Sequence, residues 1–390
     1  MKILFVLGFP NPFPGAGWTR IEFFTKAWSK KGHEVEVLGT FTYTTLYKRG
    51  IKKIGRINIF NFIFNMNLSH PLAFAINNLI SFAVSTLFLF TRRPNITIVS
   101  VPAGDVGLGA LIACKLLKAK FVIDYRDEWE DYAISLAKSK VAKDFYFKIK
   151  KFATYLYAKS GLVVAVTPST LKVLKKRGLK NLKLITNGAD TETFTPLNIR
   201  EKEKPFTIFY SGGVGNYYRL DVVVKALDVL VDKGLNDIRL VIAGAGEIQN
   251  LLKLAKEKAL SDQLKYVGSI NEKTELAKHI SMADVGIIPY DDNPLWKNSV
   301  PAKFYEYCAC GIPVIATVYE DSLLATLIKE YEIGVTSPPM DEEKLAEAIY
   351  RIYRDKSFRE VAGKRARAFI EEKFDRNKIA EEFLELIKNV

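Results

Sequence analysis

Short apolar runs alternate along the chain with longer stretches in which apolar residues return every three or four positions. The first pattern belongs to buried strands and the second to amphipathic helices. In the first half the runs predict strands at Lys2–Gly8, Glu34–Thr40, Ile96–Val101, Lys120–Asp124, Leu162–Thr167 and Leu182–Ile185, with helices at Trp18–Lys31 and Gly107–Leu117. The second half predicts strands at Phe206–Ser211, Arg239–Ala243, Leu264–Val267, Val285–Pro289, Val314–Thr317 and Gly334–Val335. Helical patterns at Leu220–Lys233, Ile248–Ala259, Thr274–Met282, Ala302–Cys310 and Glu342–Lys356 fill the gaps. Strands rich in β-branched residues that alternate with helices predict an α/β fold with parallel sheets. The polar stretch Asn198–Pro205 reads as a linker. The expected organisation is a first domain over 1–197, a second over 205–372, and an amphipathic C-terminal helix over 373–390.

Two segments break the pattern. No charged residue occurs from Ile57 to Thr91. Within it, Leu72–Phe90 is long enough to cross a bilayer. Asn77, Asn78, Ser81, Ser85 and Thr86 interrupt it, and predicted strands lie on both sides, so a buried or membrane-surface helix is expected rather than a span. The second segment, Lys138–Lys159, sets seven lysines against Asp144 and interleaves them with Phe145, Tyr146, Phe147, Phe152, Tyr155 and Tyr157. It suits either a helix on an anionic lipid surface or a solvated helix whose aromatics enter the core.

Charge adds a direction. Residues 1–195 hold 29 Lys and Arg against 12 Asp and Glu, a balance of +17, while the remainder carries −3. A basic half points to a polyanionic partner. Helix-turn-helix, zinc and RNA-binding signatures are missing, which leaves a membrane surface ahead of a nucleic acid. The three cysteines give no disulfide framework and fit a reducing compartment. The opening MKILFVLGFP reads as a strand ending at Pro10 rather than as a signal peptide. A cytoplasmic protein at the inner face of the membrane is therefore expected.

Three glycine-rich turns follow predicted strands: Gly15–Gly17, Ser211–Gly215 and Gly244–Gly246. Glycine lets backbone N–H groups approach a phosphate, and a following helix start favours negative charge. Each turn alone is also what a tight strand–helix connection requires. None completes the dinucleotide fingerprint or a P-loop, so a nicotinamide cofactor and an NTPase are both disfavoured. The most specific stretch is Asn298–Thr317, NSVPAKFYEYCACGIPVIAT. Pro301 suits the first turn of a helix and Gly311 its end. Lys303 and Glu306 share one face between them. A cation at a helix start can hold a diphosphate, and a carboxylate one turn on can accept hydrogen bonds from sugar hydroxyls. A surface Lys–Glu pair would look the same.

That stretch resembles the C-terminal donor motif of glycosyltransferase family 4, the retaining GT-B enzymes. Met1–Leu38, Thr186–Pro196, Phe209–Leu220, Arg239–Gly246, Gly268 and Ala283–Val285 resemble further motifs of that family in order and spacing. The resemblance implies two facing Rossmann-like domains with parallel sheets and a C-terminal helix. It implies transfer of a sugar from a nucleoside diphosphate sugar, expected to be a UDP-sugar, to a saccharide or lipid-linked acceptor with retention. It implies no cofactor beyond that substrate and no metal. In it Glu306 would bind the ribose, and the backbone at Gly212, Gly213 and Gly215 would meet the diphosphate. Gly15 and Gly17 would line the cleft from the other side, and Gly268, Ser269 and Ile270 would lie near the base. Asn298 stands where the family often has a second acid. Gly213 occupies the place of the family's arginine, so Arg219, assisted by Lys303, is the replacement candidate for diphosphate charge. Asp124–Asp127 resembles the R-D-x-W of a subset acting on amino or deoxy sugars of surface polysaccharides. Arg20, Arg126 and Asp127 are accordingly the acceptor-side candidates, with Asp127 for acceptor positioning or proton handling. The rival readings are an epimerase of the same architecture and a non-catalytic sugar-nucleotide or membrane-bound protein.

Overall fold

The computed structural model describes residues 1–12, 16–68, 70–101, 106–197, 199, 205–215 and 218–390. Gly15 and most of the expected linker Asn198–Pro205 lie outside them. The described chain forms two compact units, one of residues 1–186 and 377–390, the other of residues 187–376.

In the first unit the strands are β1 (Lys2–Val6), β2 (Glu34–Phe41), β3 (Gly50–Ile54), β4 (Ile57–Phe64), β5 (Ile96–Val101), β6 (Phe121–Tyr125), β7 (Leu162–Ala165) and β8 (Leu182–Leu184). They form one sheet in the order β3-β4-β2-β1-β5-β6-β7-β8. Only β3 runs antiparallel, against β4. The β3–β4 hairpin was not anticipated. Its inner strand is the INIFNFIF run at the start of the uncharged segment, a β-branched and aromatic sequence that parallel pairing with β2 covers.

The helices of this unit are α1 (Ala16–Lys30), α2 (Pro71–Arg92), α3 (Gly107–Leu116), α4 (Trp129–Leu136), α5 (Lys140–Tyr157) and α6 (Pro168–Lys176). Helices α2, α3 and α5 send Phe74, Leu111 and Leu156 into the core on one sheet face, beside Val6, Val99 and Ile123. The other face, with Ile3, Phe5 and Ile98, takes Trp28 of α1 and Phe383 of the C-terminal helix Arg376–Lys388. Trp28 and Phe383 meet edge to face at 5.5 Å, and the Trp28 indole donates to the Ala380 carbonyl at 2.9 Å. The long apolar helix α2 is a crossover between β4 and β5 of the same sheet, which returns its two ends to one layer.

The second unit contains β9 (Phe206–Ser211), α7 (Leu220–Asp232), β10 (Ile238–Ala243), α8 (Ile248–Glu257), β11 (Leu264–Gly268), α9 (Lys273–Ser281) and β12 (Val285–Pro289). It continues with α10 (Ala302–Ala309), β13 (Val314–Thr317), α11 (Leu323–Glu330), β14 (Gly334–Ser337), α12 (Glu342–Arg354) and α13 (Lys356–Lys373). The strands form a parallel sheet in the order β11-β10-β9-β12-β13-β14. Strand order therefore reverses at β9, which has β10 on one side and β12 on the other. In open parallel sheets a crevice opens at such a switch point, beyond the carboxyl ends of the strands.

Candidate functional site

The crevice is visible in the pairing itself. Strands β9 and β10 stay in register from Phe206 to Ser211. Strands β9 and β12 pair only at Ile208–Val285 and Phe209–Gly286, and then part. Tyr307 of α10 fills the base of the gap, where its hydroxyl accepts the Ser211 N–H at 2.9 Å. Beyond Ser211 the chain enters the loop Gly212–Gly215.

That loop is laced to its neighbour. The N–H groups of Gly212 and Val214 donate to the carbonyls of Ala243 and Ala245 at 2.9 and 2.8 Å, and Glu247 N–H returns to the Val214 carbonyl at 3.0 Å. Gly244 N–H donates to Gly268 O at 2.8 Å, which ties in the end of β11. Such closeness leaves no room for a side chain at 244, where a Cβ would lie 1.8 Å from the Gly212 oxygen. The alternate amides, of Gly213 and Gly215, donate to no described residue, and open space lies where a Cβ at either position would stand. Two unspent N–H groups and two unobstructed glycines make a surface that an anion can approach.

Beside this loop lies Lys303, whose side chain is 6% exposed. Its ammonium sits 3.8 Å from the Tyr210 ring centre and 3.6 Å from that of Tyr218. A Cβ built on Gly212, itself at φ +133°, would stand 2.9 Å from Nζ. The ammonium has no hydrogen-bond partner among the described residues. Burial pushes its pKa well below the usual lysine value, opposed only by the carboxylate of Glu306. A buried ammonium against aromatic faces, with no hydrogen-bonded anion among the described residues, is a place where an anionic ligand would gain an ion pair.

Glu306, one turn along α10, is half-buried and makes no hydrogen bond with the Lys303 ammonium. Burial raises its pKa, while Arg376, Lys273 and Lys303 pull it down in that order. Helix α10 begins at Ala302. Pro301 precedes it in extended conformation, one position earlier than the expected first turn. Tyr218 stacks on Tyr290 at 5.3 Å, and Tyr290 on Trp296 at 4.9 Å. This column of rings was not expected, and the spacing of Tyr210, Tyr218 and Tyr290 in sequence gave no signal for it.

Other expected site residues fall as follows. Arg219 caps α7, and its backbone N–H donates to Pro289 O at 2.7 Å, stitching the loop to β12. Its guanidinium grips Asp221 at 2.6 and 2.8 Å, so the charge assigned to a diphosphate is matched by a carboxylate two residues on. Ser269 is exposed after β11, and Ile270 packs onto the second unit's core. Asn298 ends a short 3-10 turn, exposed.

In the first unit, Arg20 is buried against Asp124 at 3.0 Å and donates to the carbonyls of Ile185 and Thr186 at 2.8 and 2.6 Å. These bonds use Arg20 as a strap across the ends of β6 and β8, a role that its expected place among acceptor ligands did not include. The backbone of Arg126 extends β6 by donating to Val101 O at 2.7 Å, and Asp127 projects exposed from the bend that follows. Gly17 lies in the first turn of α1.

Comparison with known proteins finds the Glycosyltransferase Family 4 domain over residues 18–193 and the Glycosyl transferases group 1 domain over residues 193–369. An uncharacterized glycosyltransferase of Methanocaldococcus jannaschii is 24% identical over 193 residues, covering 49% of this chain. The match spans 46%, about half, of that relative's length. Sucrose-phosphate synthase from Thermosynechococcus elongatus matches in structure with a TM-score of 0.75 at 17% identity, covering 100% of this chain and 99% of its own. HepE from Anabaena, solved in complex with UDP, matches with a TM-score of 0.73 at 14% identity over 100% of both chains. The fold is the GT-B fold.

Proposed function

We propose that this chain, a glycosyltransferase by its family 4 and group 1 domains, moves a glycosyl group from a nucleoside diphosphate sugar to an acceptor hydroxyl with retention of configuration. The observation that carries the donor reading is the buried ammonium of Lys303, with no hydrogen-bond partner among the described residues, beside a loop with two amides that donate to none of them. In the reaction the bond from the anomeric carbon to the diphosphate oxygen breaks and a bond to the acceptor oxygen forms. Negative charge grows on the departing diphosphate, and the acceptor's proton leaves with it. Lys303 and the Gly213 and Gly215 amides stand ready to receive that charge without rearranging, which is where electrostatic stabilisation is most effective.

Glu306 is the ribose ligand in this reading, a hydrogen-bond acceptor rather than a base. UDP is the favoured nucleotide, since HepE from Anabaena, of the same fold, is solved with UDP. The acceptor is a lipid-linked saccharide, supported by the +17 balance of residues 1–195.

The test is a thermal-shift and calorimetric comparison of UDP with pyrophosphate, followed by assay of UDP release from UDP-sugars with lipid-linked acceptors. UDP stabilises the protein, and Glu306→Gln weakens UDP about 10- to 100-fold, the worth of one or two hydrogen bonds to a charged acceptor. Pyrophosphate binding is unchanged in that variant. Equal losses for both ligands would move Glu306 off the ribose, and binding without turnover over all acceptors would leave a sugar-nucleotide-binding protein.

A further inference from the structure

Helix α2 is built inside out. The face it buries carries Asn77, Ser81 and Ser85 among Ala73, Phe74, Phe88 and Leu89. Asn77 donates to Asn65 at 3.0 Å and accepts from Met66 N–H at 2.9 Å. The packing against α3 is backbone to backbone, since a Cβ on Gly109 would lie 2.1 Å from the Asn78 carbonyl oxygen. Its outward face is Leu72, Ile76, Leu79, Ala83, Leu87 and Phe90, one residue per helical turn and all apolar. Leu72, Leu79, Leu87 and Phe90 are each 61–67% exposed. A helix facing water shows the reverse arrangement. An apolar stripe of this length on a surface marks an interaction site.

The flank of the stripe says what covers it. Helix α5 lies in the same layer, with Phe74 of α2 edge-on to its Phe145 and Tyr146. The outward face of α5 mixes exposed Val141, Phe147, Phe152 and Tyr155 with Lys143, Lys148 and Lys151, and Lys159 follows just beyond its end. Lys151 rests over Phe147 at 4.7 Å, and Lys115 of α3 over Tyr155 at 4.4 Å. Asp144 is the only acid on α5. Apolar and aromatic side chains beside lysines are the composition of an element that lies in the headgroup region of an anionic bilayer. A nucleic acid would gain nothing from the uncharged stripe. A second copy pairing face to face would set lysine against lysine, because an isologous contact joins a patch to itself.

We propose that the outward faces of α2 and α5 are a docking surface for an anionic lipid bilayer, with the α2 stripe entering the acyl boundary and the α5 lysines holding the headgroups. The proposal rests on the lipid-linked acceptor of the preceding reading and names the surface that brings the enzyme to it.

The test is flotation of the full chain with phosphatidylcholine vesicles, with and without phosphatidylglycerol. Wild-type protein floats with the anionic vesicles. Leu79→Glu combined with Leu87→Glu lowers partitioning more than tenfold on both kinds of vesicle. Lys148→Glu combined with Lys151→Glu lowers it more than tenfold on anionic vesicles only, at roughly fivefold per lysine near such a surface. All variants keep wild-type melting and the wild-type response to UDP, since the donor residues lie in the other unit. A lost UDP response in wild-type protein thus indicts the donor reading and leaves the docking surface standing. The proposal is overturned if wild-type protein stays with the buffer, or if the leucine variants float as wild type does. It is overturned equally if sedimentation shows a wild-type dimer that the leucine substitutions split, because the stripe then belongs to a second copy.

Discussion

Replacing Lys303 by Met tests the donor site through two effects of opposite sign. Methionine keeps most of the length and apolar character of the side chain and removes the ammonium. In the free protein that ammonium is buried with no hydrogen-bond partner among the described residues, where the Tyr210 and Tyr218 rings, at 3.8 and 3.6 Å, offset part of its lost hydration. An uncompensated buried charge costs about 3–5 kcal/mol, and each desolvated ring contact returns on the order of 1 kcal/mol. Lys303→Met should therefore stabilise the free second unit by about 1–3 kcal/mol, which raises Tm by roughly 3–8 °C. With UDP present the balance inverts. The variant loses the pair the ammonium would form, worth about 3 kcal/mol or more, so Kd for UDP rises on the order of 100-fold.

The pH dependence follows from the direction of the shift. Burial lowers the folded-state pKa of Lys303, so between that value and the ordinary lysine value the unfolded chain holds a proton that the folded chain has lost. Wild-type stability rises with pH across that window, and the methionine variant lacks this component. An anion bound at Nζ restores the proton, so wild-type affinity for UDP falls as pH rises over the same window, while that of the variant does not. Calorimetry in buffers of different ionisation enthalpy detects the proton uptake. A methionine variant that melts lower than wild type and binds UDP unchanged would refute the reasoning and make Lys303 a prop held by its rings.

Gly244→Ala places a Cβ 1.8 Å from a backbone oxygen, so the laced loops must separate. A loss of 2 kcal/mol or more is expected at the order of magnitude of core overpacking, read from the urea midpoint. Gly213→Ala meets open space and leaves that midpoint within about 0.5 kcal/mol, while weakening UDP by obstructing the approach to its amide. Arg177→Met leaves the fully buried Glu130 without its 3.0 Å partner, and should cost about 3–5 kcal/mol, seen as a lower Tm of the first unit with the UDP affinity intact.

The period of the apolar residues was enough to read most of the strands, because two-sided burial writes continuous runs such as LVIA of β10 and VGIIP of β12. It was not enough for β4, whose Asn58 and Asn61 interrupt an aromatic run that sat inside a longer uncharged stretch. That Lys303 and Glu306 share a helix was legible from Pro301, Gly311 and the strand beyond. What makes Lys303 notable, an ammonium with no hydrogen-bond partner among the described residues, depends on Tyr210 and Tyr218, which precede it by 93 and 85 residues in sequence and reach it only through the fold. The pairing of Arg219 with Asp221 two residues later, by contrast, is a local feature that the sequence carries in full view. The bonds of Arg20 were not legible, because nothing local shows that β6 and the end of β8 place a carboxylate and two carbonyls around it.

The lacing of the Gly212–Gly215 loop to the Gly244–Gly246 loop makes the two turns a continuation of the sheet by other means. Their bonded and unbonded amides alternate as they do along an edge strand, one set spent on the neighbour and the other offered outward. A ligand arriving there completes an edge that already has its shape, as an added strand would, and orders little backbone on arrival. If the proposed donor binds here, affinity for its diphosphate resides in contacts present before the encounter, and selectivity among sugars is left to the residues outside the lattice of bonds.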